Sequence, residues 1–234
     1  MTVTVCLAGT ASCGTANPPR APRPEPLTEA DLRSVMPSGD AFQGYTVMPH
    51  EPSGTAGPSG TAGPSPSSTR TSSPLSPDSP KACRALLDFE LDHVRHQPAA
   101  RVSAQVSTGN HKAGPTDFTK LHAIVLASYS VAEASEVIRS LKEALPLCHE
   151  FVAYTQAYSE PDAGILIGKW PAPGAGDDAV AFTWKIQSYA MDATVPITVV
   201  RTGGVLAKYS GALPAEIPRQ QHEKIRDLIS GTTG

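Results

Sequence analysis

Lys120–Phe151 reads KLHAIVLASYSVAEASEVIRSLKEALPLCHEF, and the fold follows from how this stretch is read. Leu121 to Ala127 is an apolar run rich in branched residues, long enough for one buried strand. Ser130 and Glu133 have the spacing of a capping box, in which the serine oxygen accepts from a free N–H of the first turn and the glutamate reaches back. Ala134, Val137, Ile138, Leu141 and Leu145 then recur at helical spacing, so one face of the helix is apolar and has to be covered. Pro146 predicts the end of that helix, and Cys148 falls just beyond it.

Upstream, Ala100 to Ser107 alternates Val102, Ala104 and Val106, the pattern of a half-buried strand, and Gly109 to Pro115 turns into the central stretch. Before it, Lys81 to Val94 (KACRALLDFELDHV) predicts a helix that buries Ala82, Ala85, Leu86, Phe89 and Val94, with Cys83 in its first turn. Thr28 to Asp31 opens a short helix whose Leu27, Leu32 and Val35 point inward, and Tyr45 and Val47 mark a short edge strand within Met36 to Pro49.

Downstream, strands are expected over Phe151 to Tyr158, Gly164 to Trp170, Ala179 to Tyr189, Ala193 to Thr202 and Val205 to Tyr209. In the third of these, Val180, Phe182, Trp184 and Ile186 share one face at period two. Gly203-Gly204 is a tight hairpin signal, and Pro196 argues for an edge position or a bulge. A last helix starts near Pro218 and turns Ile225, Leu228 and Ile229 inward. Helices that bracket a run of strands on short turns define an α+β fold, a mostly antiparallel β-sheet flanked by helices.

Cysteine usage adds one covalent constraint. Of the four cysteines, Cys6 and Cys13 lie in the N-terminal tail, whereas Cys83 and Cys148 stand at ends of helices expected to pack on one sheet. A disulfide between these two would stabilise the fold by about 4 kcal/mol through chain entropy, and it would persist outside the cytoplasm. Two separate buried thiols are the alternative.

The 234 residues include 23 prolines and 19 glycines, unevenly spread. From Glu51 to Pro80 the composition falls to Gly, Ser, Thr, Pro and Ala, with GTAGPS in tandem at Gly54–Ser59 and Gly60–Ser65. Such a segment cannot offset the entropy of ordering and is expected to be a disordered insertion within a single domain spanning 27–234. Residues 1–26 form a separate unit. Met1 to Cys13 (MTVTVCLAGTASC) is uncharged and apolar or small throughout, like the latter half of a secretory signal, and the proline- and arginine-rich Thr15 to Pro26 suits a tether. Cys13-Gly14 resembles the acylated cysteine of bacterial lipoproteins, although Thr10 stands where leucine is usual and no Lys or Arg precedes the apolar run. The expectation is a truncated lipoprotein signal, with Cys13 as the lipid attachment site at the outer face of the membrane; the alternative is a cytosolic tail or first strand with incidental cysteines.

A net charge of −3 supplies no basic field, which disfavours nucleic acid as a partner. No apolar run is long enough to cross a membrane as a helix. The chain lacks G-x-S-x-G, S-x-x-K and H-E-x-x-H, and it lacks Walker and Rossmann glycine patterns. His93 and His96 would share a helix face but have no matching carboxylate or thiolate, so no metal and no cofactor are expected. Asp177 and Asp178 sit in a Pro/Gly turn and read as solvated rather than as an acid–base pair. Binding remains: Tyr154, Tyr158, Trp170, Trp184 and Tyr189 fall on the expected strands, where a cleft between sheet and helices could take a small ligand anchored by Arg201 or Lys185. The same residues could equally be ordinary core and strand packing.

The pieces LTEADL, CRALLD, the A-I-V-L-A-S-Y strand, the helix AEASEVIRSLKEALPLCHEF, GDDAVAF and ITVVRTGGVL together resemble a family of actinobacterial surface lipoproteins and sensor domains, which includes the extracellular domain of PknH-like mycobacterial receptor kinases. The resemblance covers Leu27 to Gly204 and rests on structural motifs, none catalytic. It implies an antiparallel sheet with flanking helices, export with a lipid anchor, and a non-enzymatic role in binding or sensing a small molecule or a cell-envelope component. A protein-interaction module at the cell surface is the rival reading. The chain departs from the kinase sensors in having one cysteine pair in its folded region, where they resemble a two-disulfide domain, and in carrying no kinase segment.

Overall fold

A computed structural model of the chain describes residues 26–50, 75–90, 96–108, 122–153, 163–187 and 192–231. Four helices are present among them: α1 (Glu29–Val35), α2 (Cys83–Glu90), α3 (Val131–Ala144) and α4 (Glu216–Ser230). The strands are β1 (Gly39–Phe42), β2 (Tyr45–Pro49), β3 (Ala100–Thr108), β4 (His122–Ser128), β5 (Glu150–Ala153), β6 (Ala163–Lys169), β7 (Asp178–Gln187), β8 (Asp192–Thr202) and β9 (Val205–Ser210). All nine join one sheet in the order β1-β2-β3-β4-β9-β8-β7-β6-β5, every neighbouring pair antiparallel. The α+β architecture expected from the sequence is therefore present.

The two capping boxes form as their spacing requires. Thr28 and Asp31 close the start of α1, and Ser130 and Glu133 close that of α3. On α3 the buried residues are Ala134, Val137, Ile138, Leu141 and Ala144. The hairpin between β8 and β9 is the expected two-residue turn, with Thr202 opposite Val205 and Gly203 at a φ of 57°, the sign that primed turns demand.

Helices cover the two faces of the sheet with a lateral offset. α1 and α4 lie over β3, β4, β8 and β9, whereas α2 and α3 lie on the opposite face over β5, β7, β8 and β9. Period-two alternation sorts the side chains between these layers. Leu126, Ala207 and Val200 face α1 and α4, while Phe182, Trp184, Ile197 and Val199 face α2 and α3. Where the layers overlap, a strand has no solvent side, and Val205 to Tyr209 of β9 are all buried.

Several expectations need correction. Pro196 lies in β8, which is interior and runs in unbroken register between β7 and β9. It is tolerated because its ring nitrogen faces β9 just where that ladder ends: pairing begins at Ile197 opposite Ser210, and the Pro196 carbonyl still accepts from Gly211 N–H at 2.8 Å. Tyr45 and Val47 belong to β2, and the edge is β1, blunted by a register shift and Asp40. Trp170 lies past the end of β6. The insertion expected over 51–80 does not extend to its C-terminal end, because residues 75–80 pack on the opposite edge of the sheet. Leu75 bridges Ala153, Ser76 N–H donates to the Val152 carbonyl, and Val152 N–H donates to Ser79 Oγ at 3.0 Å. One leucine and two bonded serines suffice to shield the edge of β5. α2 also buries Leu87, which its expected apolar face omitted. Residues 51–74, Val94 and His93 lie outside the described residues, as do Cys6 and Cys13.

Cys83, the first residue of α2, and Cys148, just after α3, are bonded and fully buried. With the two cysteines 65 positions apart, removal of the bond is expected to cost about 4 kcal/mol. Urea unfolding of the Cys83→Ala/Cys148→Ala variant, and of the native chain with and without reductant, reads this directly; a loss below about 1 kcal/mol would contradict it.

One buried histidine couples the fold to pH. His122 opens β4 between the ring of Tyr45, edge-on at 6.3 Å, and Gly211, where any Cβ would overlap the imidazole. Its Nδ1 has no hydrogen-bond partner among the described residues, and burial lowers its pKa from the ordinary 6.5. The unfolded chain then binds the proton more tightly than the folded one, so the stabilisation is complete above about pH 6.5 and is lost as the pH falls toward the folded value. Glu133, held low by Ser130, and Asp178, where burial raises the pKa but Lys142, the Ala179 N–H and the Arg201 charge together lower it further, lose their contribution only in the acid range below the usual carboxylate value. Urea midpoints measured between pH 7 and 5 are expected to fall for the native chain and to flatten in His122→Gln.

Candidate functional site

The last described residues of α2, Phe89 and Glu90, lie over β4 and β9 of the sheet. Beneath Phe89, the penultimate residue of α2, lies a pocket of about 170 Å³. Val125 and Ala127 of β4 and Leu206 and Lys208 of β9 form its floor, and Tyr129, Gln97, Pro98 and Arg101 complete its walls.

Strand register explains why a lysine stands there. In β9, Val205, Ala207 and Tyr209 face α1 and α4, which puts Leu206 and Lys208 on the other side. Lys208 is directly opposite Val125 on one neighbouring strand and Val199 on the other. Only 9% exposed, it runs its stem across apolar surface toward the end of α2. Nζ lies 3.5 Å from Glu90 Oε2 and 5.6 Å from the centre of the Phe89 ring. A charge-assisted bond is normally about 2.7–2.9 Å, so this contact satisfies the ammonium weakly. Three donors meet one distant carboxylate among the described residues. Arg101, exposed on β3 opposite Ala127, also lines the pocket.

A larger groove of about 450 Å³ separates α2 from α3. Its floor is Ala85, Val137, Leu141 and Ala144, and its rim carries both signs of charge. Rim charges are already engaged along their own helices: Arg84 with Asp88 at 3.5 Å, and Arg139, on the exposed side of α3, with both Glu136 and Glu143. Exposed pairs of this kind hold little free energy.

Those of the residues singled out in the sequence that are described lie apart from one another. Trp184 is buried in the α2–α3 core with Phe151 edge-on at 5.3 Å. Arg201 lies at the far end of the same sheet region, where it donates to the Gly203 carbonyl at 3.1 Å and pairs with Asp177 at 3.4 Å. Trp184 is opposite Val195, so some six residues of β8, about 20 Å, separate it from Arg201. Trp170 is 37% exposed, and Lys185 faces Asp192 at 3.9 Å. Tyr154, Tyr158 and Tyr189 lie outside the described residues. Asp177 accepts from Gly203 N–H at 2.7 Å and so braces the β8–β9 turn, while Asp178 pairs with Lys142.

Sequence reading missed Lys208, Arg101, Gln97 and Tyr129. The signal was a lone lysine inside the otherwise apolar run Val205–Tyr209. Among the described residues no group of three His, Cys, Asp or Glu side chains could hold a metal ion, and no helix is long and apolar enough to cross a membrane. Comparison of the chain with protein-family models finds no match, and comparison with curated proteins finds none either.

Because the Lys208–Glu90 contact is long and half-screened, replacing the ammonium with an isosteric apolar chain is expected to be neutral or to stabilise by about 1 kcal/mol. Urea unfolding of Lys208→Met at physiological salt measures this. A loss of more than about 2 kcal/mol would mean that the pair is a principal strut of the fold.

Proposed function

We propose that the chain is a non-enzymatic extracytoplasmic domain, held to the outer face of the membrane by a lipid on Cys13, that binds a small molecule or a cell-envelope component in the cleft between α2 and the sheet. The observation that carries the reading is the buried cystine between Cys83 and Cys148. Cytosolic reductants keep most such pairs open, whereas a secreted domain retains them. The cleft beside Lys208 supports the binding half, since a small apolar pocket with a few converging polar groups is the usual form of a ligand site. The resemblance to PknH-like sensor domains points the same way as an analogy of fold.

A second reading is favoured by one specific feature. Leu147, beside the groove between α2 and α3, is 66% exposed, and Val131 at the other end of α3 is 48% exposed. An apolar groove with an exposed leucine at its lip would suit a protein partner.

Mass spectrometry of the protein from its native host, with cell fractionation, tests export. The expected result is an acylated Cys13 at the mature N-terminus, Cys83 joined to Cys148, and release from the membrane fraction on Cys13→Ser substitution. Free thiols in a cytosolic fraction would refute the reading. Thermal-shift screening separates the two binding modes: a small ligand of the cleft raises the melting temperature by mass action, while a partner that docks on the groove is sensitive to Leu147→Asp.

A further inference from the structure

At the end of the α2–α3 groove beside the cystine, the two walls carry charges of opposite sign. We propose that this end is a self-association surface, at which two copies of the chain pair about a two-fold axis running along the groove. The inference rests on the second reading above, that the groove docks a protein, and names that protein as another copy.

The cystine sets the geometry. It brings the start of α2 to the end of α3, with 5.0 Å between the Cα atoms of Cys83 and Cys148. Arg84 and Leu147 are each one residue from a bonded cysteine and both line the groove, with Lys81 just before α2 and Glu143 one turn before Leu147. On the α2 side this end therefore presents Lys81 and Arg84, and on the α3 side Glu143, all exposed. Ala85 and Ala144 lie on the floor between them. Leu147 is the most exposed large apolar side chain among the described residues.

A surface with one wall of each sign is complementary to itself. A two-fold axis along the groove lays α3 of each copy on α2 of the other, like ends together, so every contact occurs twice. Glu143 of one copy then meets Arg84 and Lys81 of its partner, and Leu147 falls on the partner's Ala85. A partner of one charge sign would gain against one wall and be repelled by the other, so a second copy fits better. Existing pairs do not prevent this. Arg84 holds Asp88 at 3.5 Å and Glu143 holds Arg139, each along its own exposed helix face, where such pairs contribute little. Burial of Leu147 adds the apolar contribution that the charges lack.

One end of two adjacent helices is smaller than the surface of about 800 Å² per partner that stable complexes bury, so the pairing is weak and reversible. Confinement of copies to one membrane by a lipid on Cys13 raises their effective concentration, so a weak contact suffices there.

The test is sedimentation equilibrium of the full chain with Cys83 and Cys148 joined, carrying Cys6→Ser and Cys13→Ser to remove the other two thiols and the proposed lipid. The expected result is a monomer–dimer equilibrium with a Kd of about 10–500 μM. Leu147→Asp, Arg84→Glu and Glu143→Arg are each expected to weaken it by about tenfold, because symmetry counts each lost contact twice. The sharpest arm is an equimolar mixture of the Arg84→Glu and Glu143→Arg chains. In the mixed dimer one copy is acidic at both positions and the other basic at both, so both contacts regain opposite signs and pairing returns to about the native Kd. Monomer alone at up to about 1 mM chain, a dimer indifferent to Leu147→Asp, or a mixture no tighter than its two components would overturn the assignment. The docking reading is judged separately, by cross-linking on cells. A monomeric chain that loses an envelope partner in Leu147→Asp overturns the self-pairing and keeps the groove as a docking surface.

Discussion

The bond between Cys83 and Cys148 is the constraint on which the arrangement of the helix layer depends. The cystine ties Cys83, the first residue of α2, to the turn after α3, and Leu86, Leu87 and Phe89 of the same helix are buried. The same corner receives residues 75–80, which bond along β5. A covalent link, an edge-covering segment and the apolar face of α3 thus meet at one end of the sheet and together hold the start of α2.

Offset of the two helix layers explains the composition of the strands. Central β8 and β9 are covered on both sides and carry Val, Ile, Leu and Ala at successive positions. Peripheral β3 is covered by α1 on one side only and alternates Val102, Ala104 and Val106 with Arg101, Ser103 and Gln105. The layers are tied to the sheet by a few buried polar bonds where chain ends would otherwise be left without partners. Leu27 N–H donates to Ser128 Oγ at 2.6 Å, and Gln221 Nε2 donates to the Val35 carbonyl at 3.0 Å, so α4 satisfies a carbonyl at the end of α1.

What the sequence discloses follows from the range of each interaction. Both capping boxes, the face of α3 and the hairpin at Gly203 are local, and the residues that make them lie within a few positions of one another. The cystine was legible for another reason: two thiols at helix ends leave few alternatives. Strand order was not legible, because nothing near Val205 records that β9 will insert between β4 and β8. That single non-local fact decides the rest. It makes β8 interior despite Pro196, and it turns Lys208 from an ordinary exposed position into a buried one. Trp184 and Arg201, both singled out for one cleft, are divided by strand length, since residues on one strand face separate by about 7 Å per repeat. Leu75 was lost for a statistical reason: its window is almost all Ser, Thr and Pro, and one apolar contact does not alter a compositional average.

These threads meet at Lys208. A lysine between two valines on a covered strand face is tolerated only if its ammonium can find a partner, and here it reaches Phe89 and Glu90 of α2. α2 is about 12 Å long at the helical rise, so fixing Cys83 at one end sets where Phe89 and Glu90 fall at the other. The helix sets an aromatic face and a carboxylate at 3.5 Å beside the charge. The neighbours of Lys208 are therefore placed by the cystine, acting through the rise of one helix and the register of one strand.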